Sequence, residues 1–144
     1  MTFTYRHTVR YLEVDAQNVV FNSWYLAWFD DAMSAFLEHG GLGYKDMLAA
    51  GYDVQLVRTE IDWRAGVGFQ DVVDIAVSTA RLGRTSFALD FEVRRGSTVT
   101  CAGHTVYVVI AADGSGKREI PPVIRVALGE PVDSRETPRR VGQR

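Results

Sequence analysis

Between Ser23 and His39 the chain reads SWYLAWFDDAMSAFLEH, a helical segment that is apolar nearly all the way round. Tyr25, Trp28, Phe29, Ala32 and Phe36 recur at the spacing of one helix face. Trp24, Leu26, Met33 and Leu37 widen that face, leaving a narrow polar stripe through Asp30, Ser34 and Glu38, with Asp31 beside it. A helix with so little surface to give to water must be covered, and a sheet wrapped around it is the simplest cover. Gly40 and Gly41 end it as C-terminal glycines do. A short second helix is expected over Tyr44–Ala50, ending at Gly51.

The rest of the chain has period two. Within 3–13, Phe3, Tyr5, Val9 and Tyr11 fall on one face and Thr4, Arg6, Thr8 and Arg10 on the other, which predicts a half-buried strand. Further strands are expected near 54–64, 71–82, 85–95 and 99–111. The clearest sets Phe87, Leu89, Phe91 and Val93 against Ala88, Asp90, Glu92 and Arg94. Turn signals at Gly66/Gly68, Gly83, Gly96-Ser97 and Asp113-Gly114-Ser115-Gly116 separate them, predicting an antiparallel meander. Pro121-Pro122 opens a last short helix, 122–128. The class is therefore α+β: a curved antiparallel sheet of about five strands around one long central helix. One domain over 1–128 is expected, followed by a disordered tail over 129–144, which carries prolines and arginines but few apolar residues.

A net charge of −2 gives no reason to expect a nucleic-acid partner. The single cysteine, Cys101, cannot form an internal disulfide. The N-terminal MTFTYRHTVRY lacks the apolar stretch of a signal peptide, and no apolar run approaches a membrane span. A soluble cytoplasmic protein is the expectation. His7, His39 and His104 lie far apart without metal-ligand spacing, and Ser86 lacks a G-x-S-x-G context.

The chemistry concentrates before the long helix. Asp15 ends the first alternating segment, and Ala16–Asn22 form a turn into the helix. Asn18 tolerates left-handed backbone, and Asn22 or Ser23 can cap the helix. A carboxylate is thus set close to a helix N-terminus, whose free N–H groups and dipole favour a developing negative charge. Hydrolysis of an activated acyl group needs those parts: a base or nucleophile, and donors for the oxyanion. Asp30 and Asp31 read as the solvated stripe of the helix, and Asp71 and Asp74 as loop and strand-start residues.

Two blocks carry a family resemblance. The first is Asp15-Ala16-Gln17-Asn18-Val19-Val20-Phe21-Asn22-Ser23-Trp24-Tyr25; the second runs Phe69-Gln70-Asp71-Val72-Val73-Asp74-Ile75 and then Leu82-Gly83-Arg84-Thr85-Ser86-Phe87. With them the chain resembles hotdog-fold acyl-CoA thioesterases of the 4-hydroxybenzoyl-CoA thioesterase type, over about residues 5–128. The resemblance implies hydrolysis of an acyl-CoA or acyl-carrier thioester by a homodimer or homotetramer, with the site between subunits and no metal or organic cofactor. It implies Asp15 as the catalytic carboxylate and the Asn22 backbone N–H as donor to the thioester carbonyl. Trp24 and Tyr25, at the helix start, would wall the acyl pocket. Arg84, Thr85 and Ser86 would meet the CoA phosphates and pantetheine. The chain departs from the family pattern with Asn18 for Gly, Asn22 for His or Tyr, Met33 for Arg and Gly66 for Pro. The alternative function is a hotdog protein that binds or acts on a carrier-linked acyl chain without CoA hydrolysis. The absence of a histidine in the turn after Asp15 argues against a hydratase.

Overall fold

A computed structural model describes residues 2–132. The elements run β1 (Phe3–Thr8), α1 (Trp24–His39), α2 (Tyr44–Ala49), β2 (Tyr52–Trp63), β3 (Val72–Leu82), β4 (Ser86–Arg95), β5 (Thr98–Ala111) and α3 (Pro122–Leu128). The strands form one open antiparallel sheet in the order β1-β3-β4-β5-β2. The disordered tail expected from the sequence falls mostly on 133–144, outside the described residues.

The expected meander holds only for β3, β4 and β5. β2 does not pair with β3; it lies against the far side of β5, with Trp63 opposite Cys101. The segment 64–71, read as a turn from its glycines, is a crossover. It traverses three strand positions, roughly 14 Å at sheet spacing, which eight extended residues cover easily. The first strand also differs from expectation. It ends at Thr8, and Tyr11–Glu13 form a single 3-10 turn. That turn shifts the pattern, leaving Tyr11 77% exposed and Glu13 fully buried.

α1 lies across one face of the sheet. Tyr25, Trp28, Phe29, Ala32 and Leu37 are buried there, while Leu26, Asp30, Asp31, Ser34 and Glu38 are exposed. As expected, the five-stranded antiparallel sheet packs on the long helix; the sheet is open, and the polar stripe of α1 stays exposed. Close approach depends on Gly103 in the middle of β5. A Cβ there would run into the Phe29 ring, which stacks on Phe91 with centroids 4.5 Å apart. At the other end of α1, Gly40 lets the chain pass against the Ala127 backbone of α3. Beyond α3, the Val132 N–H bonds the Thr79 carbonyl at 2.9 Å, covering part of the β3 edge that β1 leaves free. Among the described residues no helix is long and apolar enough to cross a membrane.

Gly103→Ala is expected to force Phe29 off its seat and cost about 1–3 kcal/mol. In a thermal melt this reads as a midpoint lower by roughly 5–10 °C. An unchanged midpoint would show that the helix is not seated through this contact.

Candidate active site

Residues 13–21 fold into a tight hairpin. The Phe21 N–H bonds the Glu13 carbonyl at 3.0 Å, the Asp15 N–H bonds the Val19 carbonyl at 2.9 Å, and Val14 bridges to Val20. Asn18 takes the left-handed conformation at φ 60°, as its residue type allows. The Asp15 carboxylate accepts the Gln17 N–H at 2.8 Å, an Asx turn that holds it at the hairpin surface, half-buried. The hairpin is seated on the crossover: the Val20 N–H bonds the Val67 carbonyl at 2.8 Å, and Gly66 leaves room for Val19. Asp71 accepts the Gly68 N–H at 2.8 Å and so shapes this loop, and Asp74 pairs with Arg6 at 2.9 Å. Both are structural, as their positions suggested.

The hairpin runs directly into α1. The Trp24 N–H bonds the Phe21 carbonyl at 3.0 Å and the Tyr25 N–H bonds the Asn22 carbonyl at 3.3 Å. Neither Asn22 nor Ser23 caps the helix with its side chain, contrary to expectation, because Ser23 already has helical backbone angles. Among the described residues the Asn22 N–H has no acceptor. Asp15 and an unpaired donor at the start of a sixteen-residue helix thus share one end of the fold. Trp24 is half-buried beneath the Arg10 guanidinium, which lies 5.8 Å from its ring centre. Tyr25 is 2% exposed and packs against Trp28 and Trp63, so within one chain it belongs to the core and not to an open pocket.

Behind Asp15 sits a residue the sequence reading passed over. Glu13 is 0% exposed, and its carboxylate accepts from four groups. These are the Arg10 N–H at 2.9 Å, the Arg10 guanidinium at 3.0 Å, the Trp28 indole N–H at 2.9 Å and His7 Nε2 at 2.8 Å. Burial alone would push this carboxyl up, but the donors outweigh it and hold it at about 2 against an ordinary 4.5. The signal was parity. His7 and Glu13 fall on the same odd positions as Phe3, Tyr5 and Val9, so a charge stood on the apolar face of an alternating segment.

A cavity of about 290 Å³ opens farther along α1, bounded by α2 and the β2–β5 pair. Its lining includes Asp30, Ser34, Tyr107 and the hydrogen-bonded Tyr44 and Asp53. The Tyr107 hydroxyl is buried and has no hydrogen-bond partner. Burial, then neighbouring Asp31, raises the Asp30 carboxyl; burial, then Asp30, raises the Tyr107 hydroxyl. Asp30 is thus exposed on the polar stripe, as expected, and also borders the cavity.

The residues expected to meet CoA lie elsewhere. Arg84, Thr85 and Ser86 form the β3–β4 turn, at the end of β3 remote from the Asp15 hairpin. Eleven strand residues separate the two ends, roughly 35 Å of extended chain. Arg84 is largely exposed and sits 3.6 Å from Glu119; the Thr85 carbonyl accepts the Val109 N–H; Ser86 accepts from Arg81. One chain therefore does not bring Asp15 and Arg84 together. Among the described residues no group of three His, Cys, Asp or Glu is placed to hold a metal ion.

The fold is that of a thioesterase family. Residues 9–128 match the Thioesterase-like superfamily, and the chain belongs to it. A 1,4-dihydroxy-2-naphthoyl-CoA hydrolase of Nostoc punctiforme is 27% identical over 122 residues, covering 84% of this chain and 82% of that protein. The structure of a gentisyl-coenzyme A thioesterase superposes with TM-score 0.81 at 26% identity, covering 88% of this chain and 100% of that one. A hypothetical protein from Aquifex aeolicus superposes with TM-score 0.84 at 25% identity, covering 88% and 99%. The family assignment supports thioester hydrolysis; the 4-hydroxybenzoyl-CoA type is not singled out among these relatives.

Because its folded-state value lies below the ordinary one, Glu13 stabilises the fold above pH 4.5 and loses that contribution as pH falls toward 2. The contribution is on the order of 3 kcal/mol at neutral pH. Glu13→Gln is expected to be less stable than wild type at pH 7, with the gap narrowing between pH 5 and 2.5 in denaturant melts. A gap constant across that range would mean the charge is not what stabilises.

Proposed function

We propose that the protein hydrolyses the CoA thioester of a compact aromatic acid bearing a hydroxyl group, with Asp15 as base or nucleophile. The observation that supports the thioester chemistry is Asp15 on a hairpin that runs directly into the start of α1, where the Asn22 N–H is unpaired among the described residues. The thioester oxygen would face that N–H, favoured by the helix dipole, and Asp15 would act on the carbonyl carbon directly or through water. Support for the acyl group comes from the cavity. Its apolar walls suit a ring, and Asp30, Ser34, Tyr44 and Asp53 suit a polar substituent. Two relatives carry names that specify hydroxylated aromatic acyl-CoA substrates.

We infer further that two copies pair through β2, whose edge exposes Leu56 and Val57. Antiparallel pairing about a twofold axis reverses direction. It would put the Asp15 end of one copy on the same side of the joined sheet as the Arg84 end of its partner. That accounts for a site whose parts lie at opposite ends of one chain. A reducing cytosol, where the lone buried Cys101 stays a thiol, suits the same reading.

Thiol release is measured with acyl-CoAs of graded length, benzoyl-CoA and hydroxybenzoyl-CoAs. Hydroxylated aryl substrates should give the highest kcat/KM. Asp15→Asn, nearly isosteric, should lower kcat by about a hundredfold or more without altering the fold. If Asp15→Asn retains turnover while Asp30→Asn abolishes it, the carboxylate that does the chemistry is on the helix.

Arg84→Ala addresses the other end. An arginine fork at the CoA phosphates should show as a KM raised about tenfold for the CoA thioester and unchanged for the pantetheine thioester of the same acid. Equal effects on both would reduce Arg84 to its exposed contact with Glu119.

A further inference from the structure

Glu13 is fully buried and stands two residues before Asp15. Its side chain reaches α1 through the Trp28 indole at 2.9 Å, while its own carbonyl accepts the Phe21 N–H at 3.0 Å. Phe21 in turn starts the first turn of α1 by accepting the Trp24 N–H. Residues 13–28 thus close a ring. The hairpin leaves Glu13, returns at Phe21 and enters the helix, and one turn on the helix is tied back to Glu13. Asp15 and Asn22 both lie within this ring. His7 of β1 and the Arg10 backbone and guanidinium fix the remaining carboxylate lone pairs, so the Glu13 head group has no freedom to turn.

We propose that Glu13 is a positioning residue: its bond to Trp28 sets the Asp15 carboxylate at a fixed distance and direction from the Asn22 N–H. This rests on the assignment of Asp15 and the Asn22 N–H to thioester hydrolysis. The physical case is that packing alone does not call for a charge here. A buried carboxylate is a poor way to gain stability compared with an apolar side chain of the same volume. What four directional donors provide is orientation, and orientation is what a carboxylate acting on a carbonyl requires, since a displacement of about 1 Å can cost about a hundredfold in rate. The cation of Arg10 also spans the site. It bonds Glu13 and lies over Trp24, so the network ends at the first residue of the helix.

The experiment uses two substitutions and one control in the full-length protein, with the best aryl-CoA substrate. Trp28→Phe keeps an aromatic ring and removes the bond to Glu13 together with part of the indole's packing on His7 and Tyr25; Glu13→Gln keeps the shape and removes the charge. Each is expected to lower kcat of folded protein about tenfold or more, with KM within about threefold of wild type. The double variant should be no slower than the slower single one, because both disturb the same hydrogen-bond network around Glu13. Amide exchange should accelerate at Gln17 and Phe21, whose N–H groups bond the Asp15 carboxylate and the Glu13 carbonyl. A purely stabilising Glu13 would lower the melting midpoint and leave kcat of folded protein alone. Should Glu13→Gln fail to fold, Trp28→Phe decides. Folded Trp28→Phe with wild-type kcat overturns the proposal. Asp15→Asn is the control: its loss of activity beside an intact Trp28→Phe defeats the positioning role only, whereas full activity in Asp15→Asn defeats the assignment on which it rests.

Discussion

The seat of Phe29 on the sheet is the contact from which the rest of the molecule follows. A long apolar helix can lie close on a strand only where one strand residue has no side chain, and Gly103 supplies that place in the middle of β5. Phe91 on β4 then stacks on the ring. With this point fixed, α1 cannot slide or turn. Its N-terminal end is carried to the Asp15 hairpin, and its C-terminal end to α3, where Gly40 meets Ala127. Burying residues the size of Trp28 and Phe29 contributes about 1.5–3 kcal/mol each. The energy and the registration come from the same face.

Much of this was legible in the chain because it rests on local periodicity. Each expected helix and strand exists, with ends shifted by a residue or two, except the first strand. That strand failed because alternation in sequence says nothing of where the backbone leaves the sheet. Val9 makes the last ladder bonds, to Gln70 and Asp71, and the 3-10 turn then carries Tyr11 and Leu12 out to solvent while Glu13 turns inward. The place of β2 was illegible for a different reason. Gly66 and Gly68 look like a hairpin turn, but pairing is decided by which edges are apolar and free, a property of the whole sheet. The polar stripe of α1 was read correctly as a stripe. What it faces, an unfilled space beside α2 and Tyr107, depends on elements distant in sequence.

Asp15 was visible because its neighbours form a recognisable pattern. Glu13 was not, although it is the more constrained carboxylate. Its partners come from 7, 10 and 28, and only the fold gathers them. The parity of His7 and Glu13 was the one available warning that the apolar face of the first segment held charge. The two carboxylates have different surroundings. Asp15 accepts one backbone N–H and is half-buried; Glu13 accepts four donors and is fully buried.

The same separation holds on the scale of the whole chain. Asp15 lies where β3 begins, and Arg84 where β3 ends. A substrate with a phosphate-bearing handle is long, so a protein this small can hold its two ends in either of two ways. It can stretch the substrate over one protomer, or it can pair protomers antiparallel about a twofold axis and let each supply one end. The first requires a groove along the sheet, whereas the cavity is lined at one end of α1 by α2, β2 and Tyr107 of β5. The second requires an unpaired edge whose pairing is antiparallel, and β2 has that edge, with Leu56 and Val57 turned outward. The bulge between Leu56 and Arg58 bends this strand at the point where the cavity opens beside it. On the proposed pairing, the cavity of one copy would therefore lie against the edge of the other, and the acyl pocket would be completed by the contact that forms the dimer.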